Sequence, residues 1–190
     1  EELPINLEEI KLKKINNKNF VFFSGSGFIH KGLDIVIEIF KKNQNLNLFV
    51  FILRSEKDFE EFYDIKNIKN VKYYVNININ DNFVKNIFLN STFLLSPTCS
   101  GGSSASIAQA MRYGLIPITS KNEDNNQSAS LVIEHNNISS LENTIHKSMK
   151  IDYKRLKYLS IENHKLSYEN SLDNYKQLLK NGFDEIFTNK

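Results

Sequence analysis

The chain has 190 residues, a formal net charge of +2, 41% hydrophobic and 24% charged residues, which suits a globular protein with one well-buried core. No apolar run approaches the roughly 20 residues that cross a bilayer, which argues against an integral membrane protein, and near-neutral charge with lysines scattered among acids argues against a nucleic-acid partner. A lone cysteine, Cys99, excludes an internal disulfide and fits a reducing compartment, so the cytoplasm is the expected location.

The chain opens on Glu1 rather than Met, and Glu1 to Asn19 is polar and weakly patterned; we read it as the lead-in of a fragment cut from a longer protein. Phe20 to Phe23 is a short continuous apolar run closed by Ser24-Gly25-Ser26-Gly27, the pattern of a strand buried on both faces and ended by a glycine loop. Leu33, Val36, Ile37 and Phe40 then recur at helical spacing, predicting an amphipathic helix over about Lys31 to Lys42. Leu48 to Leu53 predicts the second strand, Glu56 to about Asp64 a charged helix, and Val71 to Val75 the third strand. Phe83, Val84, Ile87 and Phe88 mark the next helix and Thr92 to Leu95 the fourth strand. Ala105 to Tyr113 reads as a helix, Ile116 to Thr119 as the fifth strand, and Leu131 to Ile133 as a weaker sixth.

From Ile138 onward the pattern is helical, with Leu141, Ile145 and Met149 on one face and Leu172, Tyr175, Leu178 and Leu179 on another. Strict alternation of strands and helices predicts right-handed crossovers and a Rossmann-like parallel sheet of about six strands, covered by helices on both faces. The expected division is a lead-in at 1–19, an α/β core at 20–150 and a helical tail at 151–190.

In such a sheet ligands bind beyond the carboxyl ends of the strands, so the loops after the strands are the candidate site. The first is Ser24-Gly25-Ser26-Gly27-Phe28-Ile29-His30-Lys31-Gly32. Its glycines Gly25 and Gly27 permit close backbone approach, and Lys31 can reach a diphosphate as a point charge; a plain strand-to-helix turn is the alternative. The second runs from Ser96-Pro97-Thr98-Cys99 through Ser100, Gly101, Gly102, Ser103 and Ser104 into the helix that carries Ser106 and Gln109. Small residues before a helix N-terminus suit an anion, because the first backbone N–H groups lack internal partners. The spacing matches neither the dinucleotide G-x-G-x-x-G nor the P-loop pattern.

Other residues are weighed against plainer roles. His30 could touch a phosphate or be solvated, and Arg54 could reach a diphosphate or sugar or be a surface arginine. Cys99 lacks a paired base and reads as a small packing residue. Tyr73 and Tyr74 read as strand residues, and Glu123 and Asp124 as solvated acids. His135, His146 and His164 have no metal-ligand spacing, so no metal is expected.

Taken together, the two loops resemble the C-terminal, donor-binding half of GT-B glycosyltransferases of the large retaining family 4. Members of that family look like strand, G-R-L-x-x-x-K-G, helix, and later P-S-x-x-E-G-x-G-x-x-x-x-E-A-M-x-x-G-x-P-V-I. The matching residues are Gly25, Lys31 and Gly32, then Pro97, Gly102, Ala110, Met111, Gly114 and Ile118, with Pro117 one position after the family's proline, and the resemblance covers about Phe20 to Ser120. It implies a nucleotide-sugar donor, UDP- or GDP-linked, no separate cofactor, and transfer to a glycan or lipid-linked acceptor in cell-envelope polysaccharide synthesis. It also implies a missing N-terminal acceptor domain, peripheral association of the full-length protein with the inner membrane face, and an inactive isolated fragment.

Lys31 is then the residue stabilising the departing diphosphate. Gly25, Ser26, Gly27, Arg54, Gly101, Gly102, Ser103, Ser104, Ser106 and Gln109 line the donor site, and the backbone at Val75, after the third strand, reads the nucleobase. Three functional positions depart from the family. Its arginine falls on Ser26, the glutamate that contacts the transferred sugar on Gly101, and the ribose-holding glutamate on Gln109. These departures leave a second reading open, a catalytically silent GT-B-like binding or scaffolding module; a nicotinamide-binding domain is disfavoured by the missing fingerprint.

Overall fold

The computed structural model describes residues 5–99, 105–121, 129–135, 137–169, 176–181 and 183–184. In chain order the elements are α1 Leu7–Leu12, β1 Asn19–Ser24, α2 Leu33–Lys42, β2 Asn47–Ile52, α3 Lys57–Tyr63 with a 3-10 turn Ile65–Asn67, and β3 Val71–Val75. They continue with α4 Asn82–Leu89, β4 Phe93–Ser96, α5 Ala105–Arg112, β5 Ile116–Ser120, β6 Leu131–Ile133, α6 Ile138–Met149 and α7 Tyr153–Glu169. The six strands form one parallel sheet in the order β3-β2-β1-β4-β5-β6.

The continuous apolar strands are explained by burial on both faces. Phe20 and Phe22 of β1, Val50 of β2, Phe93 of β4 and Ile118 of β5 point into a core closed by α2 and α6. The alternate residues Val21, Phe23, Phe51 and Leu94 pack against Val84 and Phe88 of α4 and Ile107, Ala110 and Met111 of α5. Phe20 lies within ring contact of both Phe40 and Phe93, with centroids 5.5 and 5.1 Å away. The tyrosines of β3 serve packing: Tyr74 stacks on Phe51, and the Tyr73 hydroxyl donates to Glu60 of α3 at 2.7 Å.

The segment read as a weakly patterned lead-in contains α1. Asn6 Oδ1 accepts the Glu9 amide at 2.9 Å and Glu9 Oε2 accepts the Asn6 amide at 3.1 Å, a reciprocal capping box,. Ile5 and Ile10 are buried beneath it, and Lys85 of α4 pairs with Glu9 at 3.1 Å. That hydrogen bond and charge hold the Glu9 carboxyl below its usual range.

The lead-in and α7 together finish α5. A helix leaves its last carbonyls unpartnered, and three side chains meet them here: His164 Nδ1 lies 2.7 Å from Arg112 O, Lys13 Nζ donates to Tyr113 O at 2.8 Å, and Ser160 Oγ donates to Gly114 O at 2.7 Å. Facing a carbonyl, His164 Nδ1 carries the proton. Gly114 closes α5 at φ +66°, its amide donating to Met111 O at 2.8 Å, the left-handed termination glycine permits. A Cβ there would stand 2.5 Å from Ser160 Oγ and 3.0 Å from Ile10 Cγ2, so the missing side chain lets α1 and α7 close over the helix end. The tail thus packs on its own domain through α7.

Lys13 is buried without a carboxylate partner among the described residues, and burial, reinforced by Lys157, drives its pKa well below the usual 10.5 of a lysine. Between that depressed value and 10.5 the unfolded chain holds a proton that the native chain does not, so Lys13 makes stability rise with pH across that window. We expect denaturant unfolding from pH 6 to 10 to show this rise in the wild type and a flatter profile in Lys13→Met; an unchanged slope would contradict the assignment.

Candidate functional site

The strand order reverses between β1 and β4, and at such a switch point the loops leaving the two strands diverge around a crevice. The loop after β1 spans Gly25 to Gly32 and the loop after β4 begins at Pro97. These are the two loops singled out in the sequence, and the fold brings them into contact. The His30 carbonyl accepts the Cys99 amide at 3.1 Å and the Thr98 hydroxyl at 3.4 Å, while Ser120 Oγ at the end of β5 donates to Thr98 O at 2.7 Å.

Gly32 is the tightest point of that junction. It stands before α2 at φ +77°, and a Cβ added to it would lie 2.6 Å from Pro97 O and 2.9 Å from Pro97 Cγ. Its left-handed conformation also delays the helix: α2 begins at Leu33, two residues later than the apolar spacing predicts, so Lys31 sits in the turn ahead of the helix. The turn is stitched by Lys31 N to Gly27 O at 2.8 Å, Gly32 N to Ile29 O at 2.9 Å and Leu33 N to Phe28 O at 2.9 Å. Lys31 is half-buried, and its ammonium has no hydrogen-bond or ion-pair partner among the described residues. It is a cation held by its backbone and left available for an anion.

Gly25 and Ser26 are exposed at the crevice end of β1. Gly27 is at φ +75°, and its amide is already engaged: it donates to Glu56 Oε1 at 2.5 Å, with Phe28 N donating to Glu56 Oε2 at 3.4 Å. Arg54 is exposed just beyond β2, its amide bonded to Gly25 O at 3.1 Å, so it lies beside the first loop. Val75 ends β3 at the outer edge of the sheet, opposite Ile52. It stands at the same sheet end but two strands from β1, roughly 10 Å away at ordinary strand spacing.

On α5, Ser106 and Gln109 are half-buried. Gly101, Gly102, Ser103 and Ser104 lie outside the described residues, as do Glu123, Asp124, Leu172 and Tyr175. His30 is exposed, and Cys99 is exposed too, contrary to a packing role; its backbone makes the cross-loop bond. Tyr168 of α7 is half-exposed, its hydroxyl donating to Ile5 O at 2.7 Å. Among the described residues no three His, Cys, Asp or Glu side chains group to hold a metal ion, and no helix is long and apolar enough to cross a membrane.

Glu56 is the residue that sequence reading missed. It lies 29 positions from Gly27 at the start of α3 and, with Ile29, Phe59, Phe62 and Tyr63, lines a groove of about 640 Å³ beside the first loop. No local pattern marks such a pair; only the β1–β2 pairing brings its ends together.

A six-stranded parallel sheet in this order, with two glycine-bearing loops meeting at its switch point, defines a Rossmann-like α/β domain of the GT-B kind. The chain belongs to the family described as Glycosyl transferases group 1, whose sequence pattern matches residues 5–165. It is therefore a glycosyltransferase-family domain. No curated protein matches it. Among solved structures, it is similar to WaaG, a glycosyltransferase involved in lipopolysaccharide biosynthesis, at TM-score 0.63 and 21% identity over 95% of this chain and 50% of that one. The sucrose-phosphate synthase of Thermosynechococcus elongatus aligns at TM-score 0.72 and 12% identity, over 98% and 52% of the two chains. HepE of Anabaena, in complex with UDP-glucose, aligns at 0.71 and 13%, over 90% and 49%. The chain thus spans about half the length of these proteins.

Proposed function

We propose that this chain is the C-terminal, donor-binding half of a retaining, family 4-like GT-B glycosyltransferase that takes a hexose from a nucleoside diphosphate sugar. The observation that supports this reading best is the meeting of the Gly25–Gly32 and Pro97 loops at the switch point of a glycosyl transferases group 1 domain. HepE is a similar fold in complex with UDP-glucose, which makes a UDP-sugar the first donor to try and a GDP-sugar the second. The acceptor we propose is a glycan or lipid-linked saccharide of the cell envelope, worked on at the cytoplasmic face of the membrane.

In this reading the diphosphate lies between the two loops. Lys31 supplies the positive charge that stabilises it as the glycosidic bond breaks, and the exposed backbone of Gly25 and Ser26 approaches it closely. Ser26 offers one neutral hydrogen bond where the family places an arginine, so Lys31 carries most of the charge. Gln109 hydrogen-bonds the ribose through its amide, and no metal takes part. The acceptor is held by a second domain across the cleft, where closure excludes water and aligns it; this half alone binds donor without turning it over.

Calorimetric titration with UDP and GDP tests the reading, since saturable heat with one of them is expected and none with either would leave a silent module. In the same assay Gln109→Glu should tighten binding severalfold, because a carboxylate accepts the ribose hydroxyl protons more strongly than an amide oxygen. Gln109→Leu should loosen it by a similar factor. Equal affinity of all three proteins would move ribose recognition elsewhere.

A further inference from the structure

We propose that Glu56 is an internal competitor for the donor diphosphate, a carboxylate clasp on the first loop that sets donor affinity; the inference rests on the donor-site reading above. Two successive amides presented around a left-handed glycine form a concavity that binds anions. At Gly27 and Phe28 that concavity holds Glu56, with one carboxylate oxygen on each amide, at 2.5 and 3.4 Å. A phosphate in the same place would present its oxygens similarly.

Glu56 is not there to cap its own helix, since it makes no side-chain cap bond to α3. Its side chain instead reaches 29 positions back to the loop. The carboxylate is half-buried, and the open groove lined by Ile29, Phe59, Phe62 and Tyr63 gives it space to swing aside when displaced. The Lys31 amide bonds the carbonyl of the same Gly27, so the clasped amides and the uncompensated ammonium belong to one turn. A diphosphate drawn to Lys31 meets the Glu56 charge within that turn, and binding must either displace the clasp or bear its repulsion. Removing the charge therefore favours the ligand.

The experiment is calorimetry with UDP on the wild-type domain, Glu56→Gln and Glu56→Ala, with thermal unfolding of each as a check on folding and the Gly27 amide followed by 15N NMR. Both variants are expected to bind UDP about 3- to 10-fold more tightly, and the Gly27 amide resonance should shift on UDP addition further in Glu56→Ala than in the wild type. Should Glu56→Gln bind as the wild type does, or Glu56→Ala bind more weakly, the clasp only shapes the loop and the proposal is overturned while the donor site stands. If no protein binds UDP, the donor-site reading fails, and inorganic pyrophosphate decides the clasp on its own. A pyrophosphate-dependent Gly27 shift in Glu56→Ala that is absent from the wild type sustains it, and an unmoved resonance in both overturns it.

Discussion

Lys31→Ala is expected to weaken UDP binding by about 1.5 to 3 kcal/mol, on the order of 10- to 100-fold, by removing one charge-assisted contact. The side chain has no partner among the described residues, so its loss costs no interaction within the described fold and unfolding should be unchanged. The position of the ammonium is set by the backbone: the turn from Gly27 to Gly32 is fixed by the bonds to Gly27 O and Ile29 O, and by His30 O gripping the loop after β4. With serine at position 26, that loop has no arginine to share the diphosphate charge with Lys31. Lys31→Arg should retain more affinity than Lys31→Ala, though less than wild type if the guanidinium cannot fit the same turn. Calorimetry on the three proteins checks this, and equal affinities would remove Lys31 from the site.

Gly32→Ala is the most damaging small substitution we expect at the site. The left-handed backbone costs a non-glycine residue roughly 1 to 3 kcal/mol, and a methyl group 2.6 Å from Pro97 O adds overpacking of similar size,. A total of about 2 to 6 kcal/mol should lower the melting temperature by about 4 to 24 °C in a domain of this length. Gly27→Ala separates the two causes. It shares the positive φ, +75°, but its added Cβ meets nothing nearer than His30 Cβ at 3.8 Å, so it should suffer the conformational cost alone. Because Gly32 holds the two loops together, its variant should also lose UDP affinity even where it remains folded. Equal melting temperatures for Gly32→Ala and Gly27→Ala would show that Pro97 gives way easily and that the junction is loose.

The inner strands were legible because burial on both faces writes them as uninterrupted apolar runs; the half-buried edge strands Val71–Val75 and Leu131–Ile133 also fall where the sequence pattern places them. Helix positions followed from apolar spacing, but a helix start depends on dihedral angles, and Gly32 delays α2 by two residues in a way that spacing alone does not reveal. The helix α1 was missed because six residues give too little periodicity, although Asn6-x-x-Glu9 before Ile10 carried the capping signature. At the site, the glycine loops and Lys31 stood out by type and order. Cys99 was misjudged because small size suggests packing, whereas its side chain faces solvent and only its amide holds His30. Glu56 and the capping of α5 by Lys13, Ser160 and His164 had no sequence signal. They are meetings of distant segments that exist only once the sheet has formed.

Mapping UDP on the isotope-labelled domain by amide NMR tests the central claim most directly. The account predicts saturable shifts at Gly25, Ser26 and Lys31 in the first loop and at Ser106 and Gln109 on α5, abolished or strongly weakened in Lys31→Ala. Saturable shifts confined to other surfaces, or no response to UDP or GDP at millimolar concentration, would contradict it.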